Sequence, residues 1–321
     1  MAEAARKVVV IDGGYDRYDI EAAVLRGVGA SVVLRPCDGD AVRVHKAVVD
    51  ADAVMVRESP VDAAAIMAMR KCRAIVRYGI GVDNIDLDAA RLRRIAVANV
   101  PDYGTEEVSD QALALLMAVA RRIVTRDGEV RSGAWNIGPA QKMYRLAGKT
   151  LGLVGYGRIA AAFARKMRGV GVNRVLVHDP YATLPPEVEA TDMDRLCAEA
   201  DIVSLHAPLT PDTRHILDRR RIGLLRPAAI VVNTARGPLI DEAALAQALQ
   251  EGRLFGAGLD VFAEEPVARD NPLLRLRNVV VSDHTGWYSE EAIQDLQRKA
   301  AEEVARVLAG GTPNNWLNRW Q

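Results

Sequence analysis

Three polar residues, far apart in the sequence, each follow a short apolar segment. Arg236 lies in AAIVVNTARG, Glu265 in FGAGLDVFAEEP and His284 in NVVVSDHTGW. An imidazole can accept the proton of a hydroxyl group while a hydride leaves the same carbon. A carboxylate would orient that imidazole and favour its charged form, and an arginine would bind a substrate carboxylate through its rigid fork. These residue types predict a site for coupled hydride and proton transfer.

Each of the three residues also has an ordinary structural explanation. A histidine after a strand, a glutamate before a proline and a lone arginine are most often surface or turn residues. Ligands of open parallel sheets, however, bind at the carboxyl ends of the strands. The shared position of Arg236, Glu265 and His284 at predicted strand ends therefore favours a catalytic site.

A glycine-rich turn follows the predicted strand 150–154. Gly155 permits a tight turn, Gly157 lets the backbone approach a pyrophosphate, and Ala160 is small enough for the following helix to pack on the strand. The helix N-terminus offers N–H groups to phosphate. Asp179 ends the next strand, where a carboxylate binds ribose hydroxyls and repels a 2′-phosphate. The pattern predicts an NAD site, with a purely structural turn as the alternative.

Alternating strand-like and helix-like segments run through most of the chain in two series, separated by a long apolar helix at 105–122 and an irregular segment at 133–148. Such alternation predicts parallel sheets covered by helices. We expect an α/β fold of two Rossmann-like, doubly wound parallel-sheet domains with a cleft between them. The predicted boundaries are 1–100 plus 287–321 for a flavodoxin-like substrate-binding domain and 101–286 for an NAD-binding domain. The predicted strands are 7–11, 31–34, 53–56, 74–78, 96–99, 150–154, 174–178, 202–205, 229–233, 255–259 and 278–282.

Composition excludes several other classes of protein. The 321 residues contain 42 basic and 42 acidic side chains, so no overall basic field favours nucleic acid or an anionic membrane. No apolar segment is long enough to span a bilayer. The three cysteines lack metal-ligand spacing, and the first residues show no signal-peptide core. We expect a cytoplasmic protein with reduced cysteines and no metal.

The series VGYGRIA, HDPY, DIVSLHAPLTPDTRHI, IVVNTARGPLIDEAAL, GAGLDVFAEEP and DHTGWYSEEA resembles the D-isomer-specific 2-hydroxyacid dehydrogenase family, as do MVRESPVD and IVRYGIGVDNIDLDAA earlier in the chain. Within the family, the C-terminal-binding-protein-like branch looks closest and the phosphoglycerate dehydrogenase-like branch next. The resemblance implies an NAD-dependent oxidoreductase that acts on C2 of a 2-hydroxy or 2-keto acid. It also implies a homodimer formed through the cofactor domain, with the long helix and the segment near Trp135 at the contact.

The resemblance assigns roles to individual residues. Arg236 binds the substrate carboxylate and keto oxygen, and His284 is the acid/base with Glu265 as its partner. The backbone of residues 78–81 closes over the substrate. The residues implied in cofactor binding are Gly155, Gly157, Arg158 and Ile159 at the pyrophosphate, Asp179 at the adenine ribose, Pro208 and Thr213 along the cleft, and Thr234 and Asp260 at the nicotinamide. His206 ends the strand DIVSL and either faces the cofactor or fills the strand end.

Some positions leave the substrate open. Arg57 either binds a second anionic group, such as a phosphate or phosphonate, or instead pairs with Glu58 or caps a helix. Trp287 either packs on the substrate or anchors the domain crossover. Tyr78 could supply a hydroxyl group to the substrate, with Gly79, Ile80 and Gly81 beside it. Asp283, where proline is usual, faces solvent or stabilises the imidazolium. Two alternative functions follow: oxidation of a phosphorus-containing acid, and an NAD(H)-gated corepressor or scaffold of the C-terminal-binding-protein type.

Overall fold

The computed structural model describes residues 6–135 and 141–320. Contacts divide the chain into two compact units. The first unit comprises the chain up to Tyr103 together with Ser289 onward, and the second runs from Gly104 to Tyr288. No helix among the described residues is both long enough and apolar enough to cross a membrane.

The first unit is a five-stranded parallel sheet in the order β2-β1-β3-β4-β5. This order is that of flavodoxin-like folds. Apart from the edge strand Ala30–Leu34, which is only partly buried, its strands are mostly buried runs of valine, isoleucine and alanine, as expected where helices cover both faces of a sheet. The strands are β1 (Arg6–Val10), β2 (Ala30–Leu34), β3 (Ala53–Val56), β4 (Ala74–Arg77) and β5 (Ala96–Ala98), and the helices are α1 (Asp19–Arg26), α2 (Ala41–Ala47), α3 (Ala63–Ala68), α4 (Leu87–Leu92) and α11 (Glu290–Leu308).

The second unit is a seven-stranded parallel sheet in the order β12-β11-β10-β9-β6-β7-β8. The strand order reverses between β6 and β9, which makes their carboxyl ends the topological switch point. The strands are β6 (Thr150–Val154), β7 (Arg174–His178), β8 (Glu189–Ala190), β9 (Ile202–Leu205), β10 (Ile230–Asn233), β11 (Gly256–Leu259) and β12 (Val279–Val281). The helices are α5 (Thr105–Ala120), α6 (Ile123–Arg131), α7 (Arg158–Val170), α8 (Met193–Glu199), α9 (Arg219–Leu224) and α10 (Glu242–Gln250).

Helix α5 packs directly on strand β11, and the glycines of that strand explain how. A Cβ atom at Gly256 would lie 2.6 Å from Cγ1 of Val119, and one at Gly258 would lie 2.8 Å from Cβ of Leu115. The sequence GAGL thus lets a helix approach the sheet more closely than side chains would permit. This packing fixes α5 beside the strands that lead to Glu265 and His284.

The α/β fold with two Rossmann-like parallel sheets is confirmed, and the major strands lie within one or two residues of their predicted positions. Four elements among the described residues were missed, and two of them are the short 3-10 helices Gly237–Leu239 and Pro272–Arg275. Helix α6 has no buried residue, so it lacks the apolar face by which helices are recognised. Strand β8 has only two residues, too short for any periodicity. Part of the predicted irregular segment 133–148 lies outside the described residues.

Candidate active site

The glycine-rich turn lies at the switch point of the second sheet. Gly155 has φ of +87°, and a Cβ atom there would lie 2.7 Å from the backbone nitrogen of Ala207, which follows β9. Only glycine accommodates both the left-handed conformation and this contact. The turn after β6 therefore meets the segment after β9 at the place where parallel sheets of this kind bind ligands.

Asp179 ends β7 and is tied to the same turn. Its carboxylate accepts a hydrogen bond from the backbone N–H of Tyr156 at 2.7 Å, and further bonds from the N–H groups of Tyr181 and Ala182 at 2.9 and 3.0 Å. Partial burial raises the pKa of Asp179, but these N–H donors outweigh it, and the pKa lies below its ordinary value. A charged carboxylate thus stands beside the glycine-rich turn.

The residues of this turn fit a dinucleotide. Helix α7 begins after Gly157 without a side-chain cap, so the first N–H groups of the helix, at Arg158 and Ile159, remain available for phosphate oxygens. A Cβ atom at Gly157 would meet nothing within 4 Å, which leaves open space in front of the helix terminus. At the end of β10, the hydroxyl of Thr234 is buried without a hydrogen-bond partner. A buried hydroxyl of this kind suits a polar ligand group, such as the predicted nicotinamide end.

Three further residues predicted to bind the cofactor, His206, Pro208 and Thr213, lie after β9. Nε2 of His206 lies 2.9 Å from Oγ of Ser204, and burial lowers the pKa of His206 to about 4, so its imidazole is neutral at pH 7. The hydroxyl of Thr213 donates to the carbonyl of Pro208 at 2.7 Å and closes the turn between them. Both observations are compatible with a cleft wall, and the cofactor contacts of these residues remain predictions.

The carboxyl ends of β10, β11 and β12 bring Arg236, Glu265 and His284 together. Nδ1 of His284 lies 2.6 Å from Oε2 of Glu265, whose Oε1 accepts the N–H of Phe262 at 2.9 Å. Partial burial raises the pKa of Glu265, but the contact with His284, the Phe262 N–H and the nearby charge of Arg236 outweigh it. The pKa of Glu265 is therefore lowered, and a carboxylate faces the imidazole.

Gly237, which was given no role from the sequence, lies where the loop that carries Arg236 contacts the loop that carries Glu265. A Cβ atom at Gly237 would lie 1.9 Å from the carbonyl carbon of Phe262 and 2.4 Å from the nitrogen of Ala263. The loop after β10 therefore touches the backbone of the loop after β11. The side-chain amide of Asn233 further shapes the arginine loop by donating to the carbonyl of Arg236 at 2.9 Å. The sequence feature that could have revealed this contact between the two loops is the glycine of NTARG.

Asp260 is buried, and donors of its own unit surround its carboxylate. It accepts from the hydroxyl of Ser282 at 2.6 Å and from the N–H groups of Thr285 and Gly286 at 3.2 and 2.9 Å. Its carbonyl accepts the N–H of His284 at 2.8 Å. The structure thus gives Asp260 a place in supporting the histidine loop, and its contact with the nicotinamide carboxamide remains a prediction.

In the first unit, one substrate prediction needs correction. The Tyr78 side chain is buried, and its hydroxyl donates to Oε1 of Glu21 at 2.8 Å, so it is not available to a substrate. The reason is a buried partner: Glu21 on helix α1 is itself buried and accepts the hydroxyl of Tyr78 inside the first unit. The backbone of Gly79, Ile80 and Gly81 keeps its predicted role as a hypothesis.

Arg57 lies at the end of β3, and its loop is held by an aspartate that was not predicted from the sequence. Asp12 accepts the N–H groups of Arg57, Glu58 and Ser59 at 2.6, 3.0 and 3.1 Å. Nε of Arg57 lies 3.1 Å from a carboxylate oxygen of Glu58, which is the pairing foreseen as an alternative to anion binding. Asp12 lies just after β1, so the strand-end rule used for the other residues could have found it.

Two residues beside His284 keep their alternatives open. Asp283 accepts a hydrogen bond from the hydroxyl of Thr285 at 2.7 Å. Trp287 is partly buried, packs edge-on against Tyr288 with ring centroids 5.8 Å apart, and has its backbone 3.5 Å from the Cβ position of Gly104. The contact with Gly104 supports the anchoring role of Trp287 and leaves its substrate contact a prediction. The described residues contain no cluster of histidine, cysteine or acidic side chains suited to a metal ion.

Comparison with known proteins agrees with this geometry. Residues 113–286 match the family model of the D-isomer-specific 2-hydroxyacid dehydrogenase NAD-binding domain. A glyoxylate reductase of Korarchaeum cryptofilum is 42% identical, over 78% of this chain and 78% of its own length. A D-3-phosphoglycerate dehydrogenase of Methanocaldococcus jannaschii is also 42% identical, over 77% of this chain but only 48% of its own length.

The fold is shared over almost the whole chain with solved structures. A protein of Thermus thermophilus superposes with a TM-score of 0.88 and 36% identity, covering 97% of this chain and 99% of that one. The family model covers more than half of the 321 residues and includes the glycine-rich turn, Asp179 and all three residues of the triad. The chain therefore belongs to the D-isomer-specific 2-hydroxyacid dehydrogenases and is an NAD-dependent oxidoreductase of that family.

Proposed function

We propose that the protein reduces a small 2-keto acid, with His284 as the acid/base, Glu265 as its partner and Arg236 as the ligand of the substrate carboxylate. The observation that carries this proposal is the 2.6 Å contact between His284 and Glu265, with Arg236 close enough to lower the pKa of that carboxyl group. When bound, the nicotinamide cofactor supplies or accepts the hydride. The three side chains supply the proton and the orientation.

In the direction of reduction, the charged imidazole of His284 donates a proton to the keto oxygen as C2 receives the hydride. Glu265 stabilises the imidazolium before that transfer, and Nδ1 of the ring is held by its carboxylate. Nε2 is therefore the nitrogen left to face the substrate. Arg236 holds the carboxylate so that C2 has one orientation, an effect worth several kcal/mol, up to about 7–11 kcal/mol at the extreme. Oxidation follows the same steps in reverse.

Glyoxylate is the first substrate to test, because the relative that is 42% identical over 78% of both chains is named a glyoxylate reductase. The assay follows NADH absorbance with glyoxylate, pyruvate, hydroxypyruvate and larger 2-keto acids, with NADPH in parallel. Turnover of one of these acids that is abolished by Arg236→Gln would support the proposal. The absence of turnover with all of them, in protein shown to bind NADH, would contradict it.

A second candidate is a substrate that carries another anionic group, such as 3-phosphohydroxypyruvate or a phosphonate. Two arginines of the first unit favour it: Arg57 and Arg77 lie at the ends of neighbouring strands, and Nε of Arg77 donates to the carbonyl of Arg57 at 3.1 Å. The named phosphoglycerate dehydrogenase relative supports the same class. An Arg57→Gln variant should then lose affinity for the phosphorylated acid and keep its affinity for glyoxylate.

We also propose that the protein forms a homodimer through its cofactor-binding unit. Helix α6 exposes Ile123, Val124 and Val130, each with more than half of its side chain accessible, and Trp135 just beyond the helix is 79% exposed. Neighbouring exposed apolar side chains are characteristic of a protein interface. Light scattering after gel filtration should give twice the mass of 34.8 kDa for the chain and a monomer for Val124→Glu.

A further inference from the structure

The loop that carries His284 is built around one buried carboxylate. Residues 282–286 supply three donors to the side chain of Asp260, and His284 itself donates its backbone N–H to the carbonyl of the same residue. Asp260 is only 2% exposed, so its carboxylate depends on these donors in place of water. The loop therefore keeps its conformation through its hydrogen bonds to Asp260, and the buried carboxylate of Asp260 depends on the loop for its donors.

His284 needs such support because its backbone is in an unfavourable region. Its φ angle is +58°, in the left-handed region that residues with a Cβ atom seldom occupy. Such a conformation persists only where surrounding contacts enforce it. Here it aims the imidazole at Glu265, so a change that relaxes the loop also changes the direction of the catalytic ring.

Ser282 has hydrogen bonds of fixed direction on both sides. Its hydroxyl lies 2.6 Å from Oδ1 of Asp260 and 2.8 Å from Nε2 of Gln111 on helix α5. The carboxylate can only accept and the amide nitrogen can only donate, so the serine accepts from Gln111 and donates to Asp260. Because α5 is packed on the glycines of β11, Gln111 links the loop to a rigid part of the unit.

We propose that Ser282 and Gln111 are positioning residues, which hold His284 in its productive orientation through Asp260. This inference rests on the proposed role of His284 as the acid/base. Neither residue is placed at the reacting atoms, so their loss should lower the rate of hydride transfer more than it weakens substrate or NADH binding. Of the two, Ser282 should matter more, because it contacts the carboxylate directly.

The test is Ser282→Ala, with Ser282→Thr as the variant that keeps the hydroxyl and Ser132→Ala as a control for an exposed hydroxyl elsewhere in the unit. Using NADH and the accepted 2-keto acid, Ser282→Ala should lower kcat about 10- to 100-fold, as small displacements of catalytic groups do. The KM of the 2-keto acid should stay unchanged, and the Kd of NADH should change less than kcat, because Asp260 also has a predicted contact with the nicotinamide. The isotope effect measured with 4-deuterated NADH should rise, because hydride transfer becomes rate-limiting. Ser282→Thr should restore kcat.

Coupling between the two residues gives an independent readout. Gln111→Leu should lower kcat less than Ser282→Ala does, and the double variant should be no slower than Ser282→Ala alone, since the two act through one contact. Additive effects of the two substitutions on kcat would overturn the proposed series of contacts from Gln111 through Ser282 to Asp260. So would wild-type kcat in Ser282→Ala, or a loss of kcat together with NADH binding that threonine does not restore.

His284→Asn in the same assay separates this inference from the proposed function. If His284→Asn is inactive and Ser282→Ala is fully active, the positioning role is wrong and the acid/base role stands. If His284→Asn is active, the proposed function itself fails.

Discussion

Replacing Glu265 with glutamine removes its charge and leaves the side chain one acceptor oxygen in place of two. The shape of the side chain is kept, but its single amide oxygen can accept either the N–H of Phe262, which now bonds to Oε1 at 2.9 Å, or the ring N–H of His284, and not both. What is lost is a charged acceptor 2.6 Å from Nδ1 of His284. The change therefore removes stabilisation of the imidazolium without creating a cavity.

The magnitude follows from the contact and its exposure. A hydrogen bond to a charged group contributes about 1.5–3 kcal/mol when shielded from water. Here the side chains are 41% exposed at His284 and 36% at Glu265, so solvent screening reduces that value. We expect a loss of about 1–2 kcal/mol in the transition state, which is roughly a 5- to 30-fold decrease in kcat/KM.

The measurement is steady-state kcat/KM with NADH and a 2-keto acid at pH 7, with Glu264→Gln as the matched control for loss of an adjacent negative charge. The pKa of Glu265 lies below its ordinary value of 4.5, so its contribution is complete above that pH and is lost as the pH falls through the lowered value. At a pH below the lowered pKa the carboxyl group of the wild type is uncharged, so the effect of Glu265→Gln should shrink as the pH falls through that value. A loss of less than twofold, or an equal loss in Glu264→Gln, would refute the reasoning.

Three further predictions concern other parts of the chain. Asp179→Asn should raise the preference for NADPH over NADH about tenfold by removing roughly 1–2 kcal/mol of repulsion toward a 2′-phosphate, as competing NADH and NADPH assays would show. The Cβ atom of Gly237→Ala would meet the backbone of Phe262. This variant should therefore lower kcat/KM by about 100-fold or more and lower the free energy of unfolding by about 1–3 kcal/mol. A kcat/KM equal to that of the wild type would contradict this prediction. Burial raises the pKa of Glu21 despite its bonds to Tyr78 and Gln297, so ionisation of this carboxyl group destabilises the fold as the pH rises. Glu21→Gln should therefore raise the melting temperature at pH 8 and not at pH 4. A shift in melting temperature that is the same at both pH values would show that ionisation of Glu21 is not the cause.

Much of the fold was predictable because parallel strands that are covered on both faces consist of continuous apolar segments in the sequence. Runs such as VVVI, AVMV and IVVN mark β1, β3 and β10 without help from any neighbour. The candidate site was predictable for a related reason: Arg236, Glu265 and His284 follow such strands, and strands that run parallel deliver their carboxyl ends to one edge.

The parts that escaped prediction depend on contacts between distant segments. The direction of the Tyr78 side chain is decided by Glu21, 57 residues earlier, which offers its hydroxyl a buried partner. The role of Ser282 depends on Gln111, 171 residues away. No local pattern encodes either pair, and the requirement for glycine at position 237 appears only once the backbone of Phe262 is in place.

The most direct test of the proposed chemistry is the rate of hydride transfer in His284→Asn. In a single turnover with pre-bound NADH and saturating 2-keto acid, the variant should bind NADH as the wild type does and transfer hydride at least about 100-fold more slowly, the usual contribution of a general acid. Normal binding with this slow transfer is the predicted result. A transfer rate near that of the wild type would show that His284 is not the proton donor.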